Sequence, residues 1–338
     1  MAVSLKDIAK ALDISTAAAS KALNDLPGVS DALRLRVKKT AEAMGYTKYL
    51  RASLVNAYER SMKFIVVLYG RIGGHLIEHI QAAIDDKIRR RGYYEVRYLI
   101  DVTKDLQAEE AKELFLKNII KEKGVVGVLA CYIKLSDVLI DKLYEHQLPV
   151  VLLENQTDFG RCVTIDNFKA SYKATIKLVE LGRRRVGCVM AQEDVDHVWR
   201  DRLEGYKRAL KDKGRAYDPG LIVYDNWVSL EGGELATKTL LAKRADVDAI
   251  LYGSDLQAYG GMRGLRALQK RIPQDVAMIG FDDMEYNSIV EPPLSSVRQP
   301  IRKMADVGLA LLFDSIENKD FSHRAVTLDT ELILRGSC

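Results

Sequence analysis

The first 46 residues carry apolar positions at the three- and four-residue spacing of amphipathic helices. In the first helix these positions are Leu5, Ile8, Ala9 and Leu12. Asp13 follows them, where a tight turn needs a residue that tolerates positive φ. Ser15 and Ser30 are suited to cap a second and a third helix, and Gly45 to end the third. The pattern predicts three short helices, the first two joined by a tight turn.

From residue 64 onward, short apolar runs alternate with longer amphipathic stretches. The runs typical of strands are 64–69, 95–100, 125–130, 149–153, 186–190, 221–224, 249–252 and 276–280, with further runs at 162–165, 296–298 and 326–334. Strands that alternate with helices predict parallel sheets covered on both faces. Since about eight such units exceed one open sheet of usual size, we expect two doubly wound lobes. The chain is expected to cross between them near residues 161, 293 and 321.

Length and composition exclude several classes of protein. The 338 residues are 48% hydrophobic and 29% charged, and no apolar run approaches the ~18 residues that a membrane span needs. The N-terminus shows no secretory signal, and the four cysteines lie far apart in the sequence. We therefore expect a cytoplasmic chain with reduced thiols, no membrane segment and no zinc finger.

The net charge of +4 is concentrated at one end of the chain. The first 60 residues hold ten basic and six acidic side chains, and the rest of the chain is balanced. A small basic module on a neutral body is typical of a head that binds a polyanion, joined to a separate sensing or catalytic domain.

The helix pattern of this basic head predicts a helix-turn-helix, in which the second helix enters the major groove of DNA. The exposed face of that helix carries Thr16, Ala17, Ser20 and Lys21. Methyl groups of Thr and Ala can contact thymine, and Lys can donate to guanine acceptors. Double-stranded DNA is therefore the expected partner.

The motifs of the head resemble the headpiece of the lactose/galactose-repressor (LacI/GalR) family of transcriptional regulators. The matching segments are Leu5-Lys6-Asp7-Ile8-Ala9, Ser20-Lys21-Ala22-Leu23-Asn24, Arg34-Leu35-Arg36-Val37 and Met44-Gly45-Tyr46. The resemblance implies that Thr16, Ala17 and Lys21 read bases, and it adds Asn24 to the DNA-contacting residues. The candidates for phosphate contacts are Lys6, Ser15, Ser20, Arg34 and Arg36. For each of these the alternative is an ordinary solvated side chain.

The next segment, residues 47–61, stands where this family has a hinge helix that enters the minor groove. Lys48 and Tyr49 occupy the positions of the family's Pro-Asn start. Leu54, or Val55 by strict register, is the candidate wedge that unstacks a base step. The alternative is a hydrophobic contact between the hinges of two subunits.

The resemblance continues through the body and so covers nearly the whole chain. Its motifs include Asp166-Asn167, Arg202-Leu203-Glu204-Gly205-Tyr206, Ser254-Asp255, Gly280-Phe281-Asp282-Asp283 and Arg335-Gly336-Ser337-Cys338. The implied fold class is an all-α helix-turn-helix headpiece plus an α/β body of two doubly wound parallel-sheet lobes, like periplasmic sugar-binding proteins. The expected divisions are a headpiece at 1–46, a hinge at 47–61, an N-terminal lobe at 62–160 with 294–320, and a C-terminal lobe at 161–293 with 321–338.

Ligands of open parallel sheets bind beyond the carboxyl ends of the strands. That rule and the resemblance both select Glu154, Ser254 and Asp282. The resemblance adds Arg202, Trp227 and Gln299, and Arg71 is expected at the mouth of the cleft. Carboxylates, a guanidinium fork and an indole face suit a sugar, and a purine or nucleoside is the alternative ligand.

Several of these residues have structural alternatives. Arg202 could pair with a neighbouring acid on its own helix, Trp227 could belong to the core, and Asp282 could cap the segment that follows it. Asp166 and Asp255 are interpreted as helix N-caps rather than ligand contacts.

The resulting interpretation is a repressor-type regulator that binds a near-palindromic operator as a homodimer and responds to a small molecule. It predicts no enzyme activity, cofactor or metal. One alternative is a solute-binding protein for transport, which leaves the basic head unexplained. Another is a zinc peptidase, because His75, Glu78 and His79 match an H-x-x-E-H motif.

Overall fold

The computed structural model describes residues 3–24, 26–46, 62–70, 74–100, 113, 117–122, 124–192, 197–225 and 227–338. The chain forms two compact units, Met1–Met62 and Lys63–Cys338. The predictions for the hinge segment 47–61, including Leu54 and Val55, lie outside the described residues, and so does the prediction for Arg71. Within the described part, no helix is long and apolar enough to cross a bilayer.

The first unit contains the three predicted helices, α1 (Leu5–Leu12), α2 (Thr16–Leu23) and α3 (Asp31–Ala43). Asp13 adopts a φ of 53°, as the turn between α1 and α2 requires. The hydroxyl oxygens of Ser15 and Ser30 accept hydrogen bonds from the backbone N–H groups of Ala18 and Leu33. The expected caps are confirmed. The small core of this unit comprises Ile8, Ala9, Ala19, Ala22, Val37 and Ala41.

Within its described residues, the second unit contains two six-stranded sheets. Its helices are α4 (Gly74–Arg90), α5 (Asp137–Glu145), α6 (Asn167–Glu180), α7 (His197–Asp212), α8 (Leu230–Lys243), α9 (Asp255–Ala267) and α10 (Ile301–Asn318). Its strands are β1 (Phe64–Gly70), β2 (Tyr94–Ile100), β3 (Val125–Cys131), β4 (Val150–Leu153), β5 (Arg161–Ile165), β6 (Val186–Met190), β7 (Ile222–Tyr224), β8 (Ala249–Tyr252), β9 (Ala277–Asp282), β10 (Ser295–Arg298), β11 (Arg324–Leu328) and β12 (Glu331–Ile333).

The first sheet has the order β11-β5-β4-β3-β1-β2, and every neighbouring pair is parallel. The second has the order β12-β10-β9-β8-β6-β7 and is parallel except for β12, which runs antiparallel to β10. The inner strands are buried, since helices cover both faces. The fold class expected from the sequence is confirmed.

The crossings between the sheets differ from expectation. Residues 161–165 pair with β4 in the first sheet, and residues 295–298 pair with β9 in the second. The run 326–334 is two strands, because residues 324–328 join β5 while 331–333 join β10. The predicted positions at which the chain crosses from one sheet to the other, near 161, 293 and 321, therefore each lie one strand too early in the sequence. The observed crossings follow Ile165, Arg298 and Leu328. An apolar run predicts that a strand exists. The neighbouring strand to which it is hydrogen-bonded determines which sheet it joins.

Candidate functional site: a DNA-binding helix and an interlobe cleft

Helix α2 presents the predicted surface. Thr16, Ala17 and Lys21 are exposed, while Ala19 and Ala22 pack into the core of the unit. Ser20 is partly buried on the same helix. The small residues Ala19 and Ala22 thus face the core, and Thr16, Ala17 and Lys21 form the outer face of α2.

Three of the predicted DNA contacts also stabilise the head itself. Ser15 Oγ caps α2 by accepting from Ala18 N at 3.0 Å. Asn24 Nδ2 donates to the Ser20 carbonyl at 2.9 Å and so closes the other end of α2. Arg34 Nη2 donates to the Leu26 carbonyl at 3.2 Å. Their side chains fix the ends of the helix and the loop that follows it. Lys6 and Arg36 are exposed, as the phosphate-contact prediction requires.

In the body, a buried chain of hydrogen bonds links the two sheets. Glu154 follows β4 of the first sheet, with a φ of 58°. Its Oε1 accepts from Asn167 Nδ2 at 2.7 Å, and Asn167 Oδ1 accepts from Arg202 Nε at 2.8 Å. Glu154 Oε2 also accepts from the Ile165 backbone at 3.2 Å. Burial raises the pKa of the Glu154 carboxyl, while Asn167 and the charge of Arg202 lower it.

Arg202 lies inside the body rather than on the outer face of α7, where it would pair with acids of its own helix. Its Nη1 donates to the Gly253 carbonyl at 2.6 Å, directly after β8. Its guanidinium carbon lies 3.5 Å from the centroid of the Phe281 ring and 5.2 Å from that of Trp199. Stacking of this kind holds the guanidinium plane in a fixed orientation.

A second chain of hydrogen bonds links the two sheets through Gln299. Its Nε2 donates to Asp282 Oδ1 at 2.7 Å, and its Oε1 accepts from the Tyr132 hydroxyl at 3.1 Å. Tyr132 follows β3 of the first sheet, whereas Asp282 and Gln299 lie at the ends of β9 and β10 in the second. Asp282 has a φ of 113°, a backbone conformation that costs about 1–3 kcal/mol and persists only where the surroundings impose it.

The charge of Asp282 depends on this environment. Burial raises the pKa of its carboxyl to about 6, opposed by the positive charge of Arg202 and the hydrogen bond from Gln299. The nearby Asp255 carboxyl is more strongly affected, since burial and the charge of Asp282 both raise its pKa. The region between the two sheets therefore contains two carboxyl groups whose pKa values are raised by burial.

The predicted N-cap at Asp255 is wrong, while the predicted ligand role of Ser254 stays a prediction. Ser254 is the N-cap and accepts from Gln257 N at 3.2 Å. Asp255, expected to be that cap, instead accepts from Met284 N, Asn287 Nδ2 and Ser296 Oγ at 2.7–2.8 Å. Asp255 thus anchors the segment after β9. The N-cap precedes the first helical residue, and this helix begins at Asp255. The predicted cap at Asp166 is confirmed.

Trp227 is not a core residue, because 72% of its surface is exposed. Its backbone N–H donates to Asp225 Oδ1 at 3.1 Å in the turn after β7. The indole is therefore exposed beyond the carboxyl end of β7, and its predicted ligand role stays a prediction.

Sequence reasoning missed three polar residues of this region as site candidates. Asn167 joins Glu154 to Arg202, and its only signal was its place in the Asp166-Asn167 motif. Asn155 and Gln257 are fully buried, and each has amide atoms without a hydrogen-bond partner among the described residues. Their environment depends on the fold and leaves no periodic signal in the sequence.

The H-x-x-E-H motif lies in α4. Nothing is described for the His75 side chain. Across the part of the chain that is described, no group of three or more His, Cys, Asp or Glu side chains could hold a metal ion. The geometry therefore gives the zinc-peptidase alternative no support.

Comparisons with known proteins agree with both units. Residues 4–48 match a model described as "Bacterial regulatory proteins, lacI family", and residues 176–338 match one described as "Periplasmic binding protein-like domain". The chain is 29% identical to the HTH-type transcriptional regulator RegA of Clostridium saccharobutylicum, across 100% of this chain and 99% of RegA. It is 28% identical to the HTH-type transcriptional repressor CytR of Escherichia coli strain K12, across 99% of this chain and 96% of CytR.

Among solved structures, the chain is similar to a complex of the transcriptional regulator CelR with cellobiose. The TM-score is 0.73 at 26% sequence identity, and the match covers 99% of this chain and 100% of CelR. The similarity thus extends over the basic head and both lobes.

Proposed function

Because this chain belongs to the LacI/GalR family of transcriptional regulators, we propose that it is a repressor. Its affinity for operator DNA changes when a small molecule binds between its lobes. The observation that carries this proposal is the pair of hydrogen-bond chains across the cleft, through Asn167 and through Gln299. They place fixed polar groups from both sheets at the carboxyl ends of the strands, where such sheets bind ligands.

The head supplies DNA binding. Thr16, Ala17 and Lys21 on the exposed face of α2 are proposed to contact base edges, and Lys6 and Arg36 to contact phosphates. A headpiece of about 46 residues neutralises few phosphates, so useful affinity requires two of them on a near-palindromic site. A homodimer is the arrangement that supplies two.

A sugar is the proposed effector class. Glu154 and Asp282 provide acceptors for hydroxyl groups, Arg202 provides oriented donors, and Trp227 provides an apolar face. The related CelR structure contains cellobiose. We propose that the protein works in the cytoplasm, because that is where its operator DNA lies.

The two activities are coupled through the closure of the lobes. A ligand that binds one arrangement of the lobes more tightly shifts the population toward it. If that arrangement positions paired headpieces differently, effector and operator affinities change together by about 1–3 kcal/mol. An inducer lowers operator affinity and a corepressor raises it, so the two differ in the sign of the coupling free energy.

A thermal-shift screen of sugars and nucleosides tests this proposal. An effector at 100 times its Kd adds ~2.7 kcal/mol to the free energy of unfolding. Arg202→Ala and Asp282→Ala should lose this response while keeping salt-dependent DNA binding. Normal responses in both variants would show that the cleft is misassigned.

A further inference from the structure

Two consecutive aspartates at the end of β9, Asp282 and Asp283, form a strained corner. Their φ angles are 113° and 58°, which residues other than glycine adopt only where the surroundings impose them. The backbone N–H of Asp283 donates to Ser296 Oγ at 3.1 Å, and that of Met284 donates to Asp255 Oδ2 at 2.8 Å. The corner is thus held against β10 on one side and against α9 on the other.

Two consecutive residues at the end of β10 bind the side chains of this corner. Gln299 Nε2 donates to Asp282 Oδ1, and Arg298 Nε donates to Asp283 Oδ2, both at 2.7 Å. Gln299 Oε1 also accepts from the hydroxyl of Tyr132, which follows β3 of the first sheet. The chain crosses from the second sheet to the first directly after Arg298. The corner therefore meets the first sheet at a crossing between the lobes.

The pair of Asp283 and Arg298 belongs to an ion-pair network of the second sheet. Arg298 Nη1 donates at 3.2 Å to Glu331, which is its partner in the register of β10 and β12. Arg335 Nη1 donates to Asp283 Oδ1 at 2.7 Å. The side chain of Arg298 is 48% exposed, whereas that of Asp283 is 4% exposed. One guanidinium fork thus binds a buried and an exposed carboxylate at once, which suits arginine better than lysine.

The two carboxyl groups of the corner differ in charge. Burial raises the pKa of the Asp283 carboxyl, but hydrogen bonds from Arg335 and Arg298 outweigh burial and bring that pKa below its usual value. For Asp282, burial raises the pKa to about 6. Asp283 therefore keeps its charge at neutral pH, and its contact with Arg298 is an ion pair.

We propose that Asp283 and Arg298 are positioning residues for the effector cleft proposed above, on which this inference rests. Their ion pair holds the corner against the end of β10. It thereby sets the geometry in which Gln299 joins Asp282 to Tyr132 of the first sheet. The two residues act on the connection between the lobes through Gln299, without contacting a ligand themselves.

Hydrogen–deuterium exchange of the full chain, measured by mass spectrometry without ligand or DNA, tests this role. Arg298→Met removes the ion pair and keeps much of the length of the side chain. The amides around Tyr132, in the other sheet, should then exchange about 2- to 10-fold faster than in wild type. Gln299→Met should have a similar effect. The double variant should exchange there no faster than Gln299→Met alone, because both substitutions break the same connection.

A purely structural role for Arg298 gives a different pattern. Exchange would then accelerate only in peptides of the second sheet, such as 282–288 and 331–335, and the amides around Tyr132 would keep their wild-type rates. That outcome overturns the proposal, and so do additive effects in the double variant. Unchanged rates around Tyr132 in Gln299→Met overturn it as well, since the contact would then not hold the two sheets together.

Arg271→Met is the matched control. Arg271 also donates to an aspartate, Asp275, through Nε and Nη2 at 3.0 and 2.8 Å, and it is exposed. This substitution should leave exchange around Tyr132 unchanged.

A second variant covers the case in which Arg298→Met does not fold. Arg298→Lys keeps the charge but cannot reach Asp283 and Glu331 together, so it should accelerate exchange around Tyr132 by a smaller factor. Wild-type rates there would count against the proposal. Because neither effector nor DNA is present, failure of this experiment leaves the proposed function standing, and the thermal-shift screen tests that function separately.

Discussion

Asn167 and Arg202 are joined by a 2.8 Å hydrogen bond in which the amide oxygen of Asn167 accepts from Nε of the arginine. The amide nitrogen of the same residue donates to Glu154 at 2.7 Å. One neutral side chain thus fixes a buried cation and a buried acid relative to each other. Glu154 follows β4 of the first sheet and Arg202 lies on α7, so relative motion of the lobes must rearrange this chain.

Replacing Asn167 by alanine should destabilise the body. The substitution removes a donor from Glu154 and an acceptor from Arg202, and unpaired buried polar groups cost about 1–3 kcal/mol. Urea unfolding measures the change in the free energy of unfolding. Asn318→Ala is the control, because Asn318 also donates to a carboxylate but is exposed. Equal, small effects of the two substitutions would show that the buried chain contributes little.

Asp282 should make stability depend on pH. Its folded-state pKa of about 6 lies above the ~3.9 of an unfolded aspartate. Between these values the folded chain binds more protons, so its free energy of unfolding falls as pH rises. Arg202, Gln299 and Asp255 are the groups that act on this carboxyl.

Asp282→Asn removes that contribution. The stability of wild type relative to the variant should fall by on the order of 3 kcal/mol between pH 4 and pH 7. Urea titrations at intervals across this range measure it. Parallel curves for the two proteins would contradict the raised pKa.

Ser15 should act mainly through the helix that it caps. Ser15→Ala removes the acceptor for Ala18 N and should cost about 0.5–2 kcal/mol of headpiece stability, weakening binding to all DNA sequences alike. Ser15→Asn, which keeps a capping oxygen, should restore much of both. Weaker DNA binding without any loss of helix content would instead favour a direct phosphate contact.

Lys6 and Lys21 should differ in the kind of DNA affinity they provide. Lys6→Ala should weaken binding about uniformly across sequences and reduce the slope of log affinity against log salt by about one. Lys21→Ala should change which base is preferred at one position, with a cost of about 1–3 kcal/mol on the best site. Titrations at several salt concentrations against a panel of duplexes distinguish the two.

The turns, helix caps and strands could be predicted from the sequence because each is determined by residues close together in the chain. Turn and cap residues such as Asp13, Ser15 and Ser30 act within a few residues of their own position, and apolar runs mark the strands. The sheet to which residues 161–165 belong was misplaced, since strand pairing is a long-range property. The same limit hid the role of Asn167 and the anchoring role of Asp255, because their hydrogen-bond partners are distant in the sequence.

We propose that an effector bound between the lobes alters the affinity of the head for DNA. This coupling is measured by the fluorescence anisotropy of a labelled duplex, selected for binding from a random pool and titrated with the full chain at fixed salt. The titration is repeated with saturating amounts of a compound that stabilises the chain in the thermal screen. The expected result is a change in operator affinity of about 5- to 150-fold, which Arg202→Ala abolishes. Identical binding curves with and without the compound would contradict it.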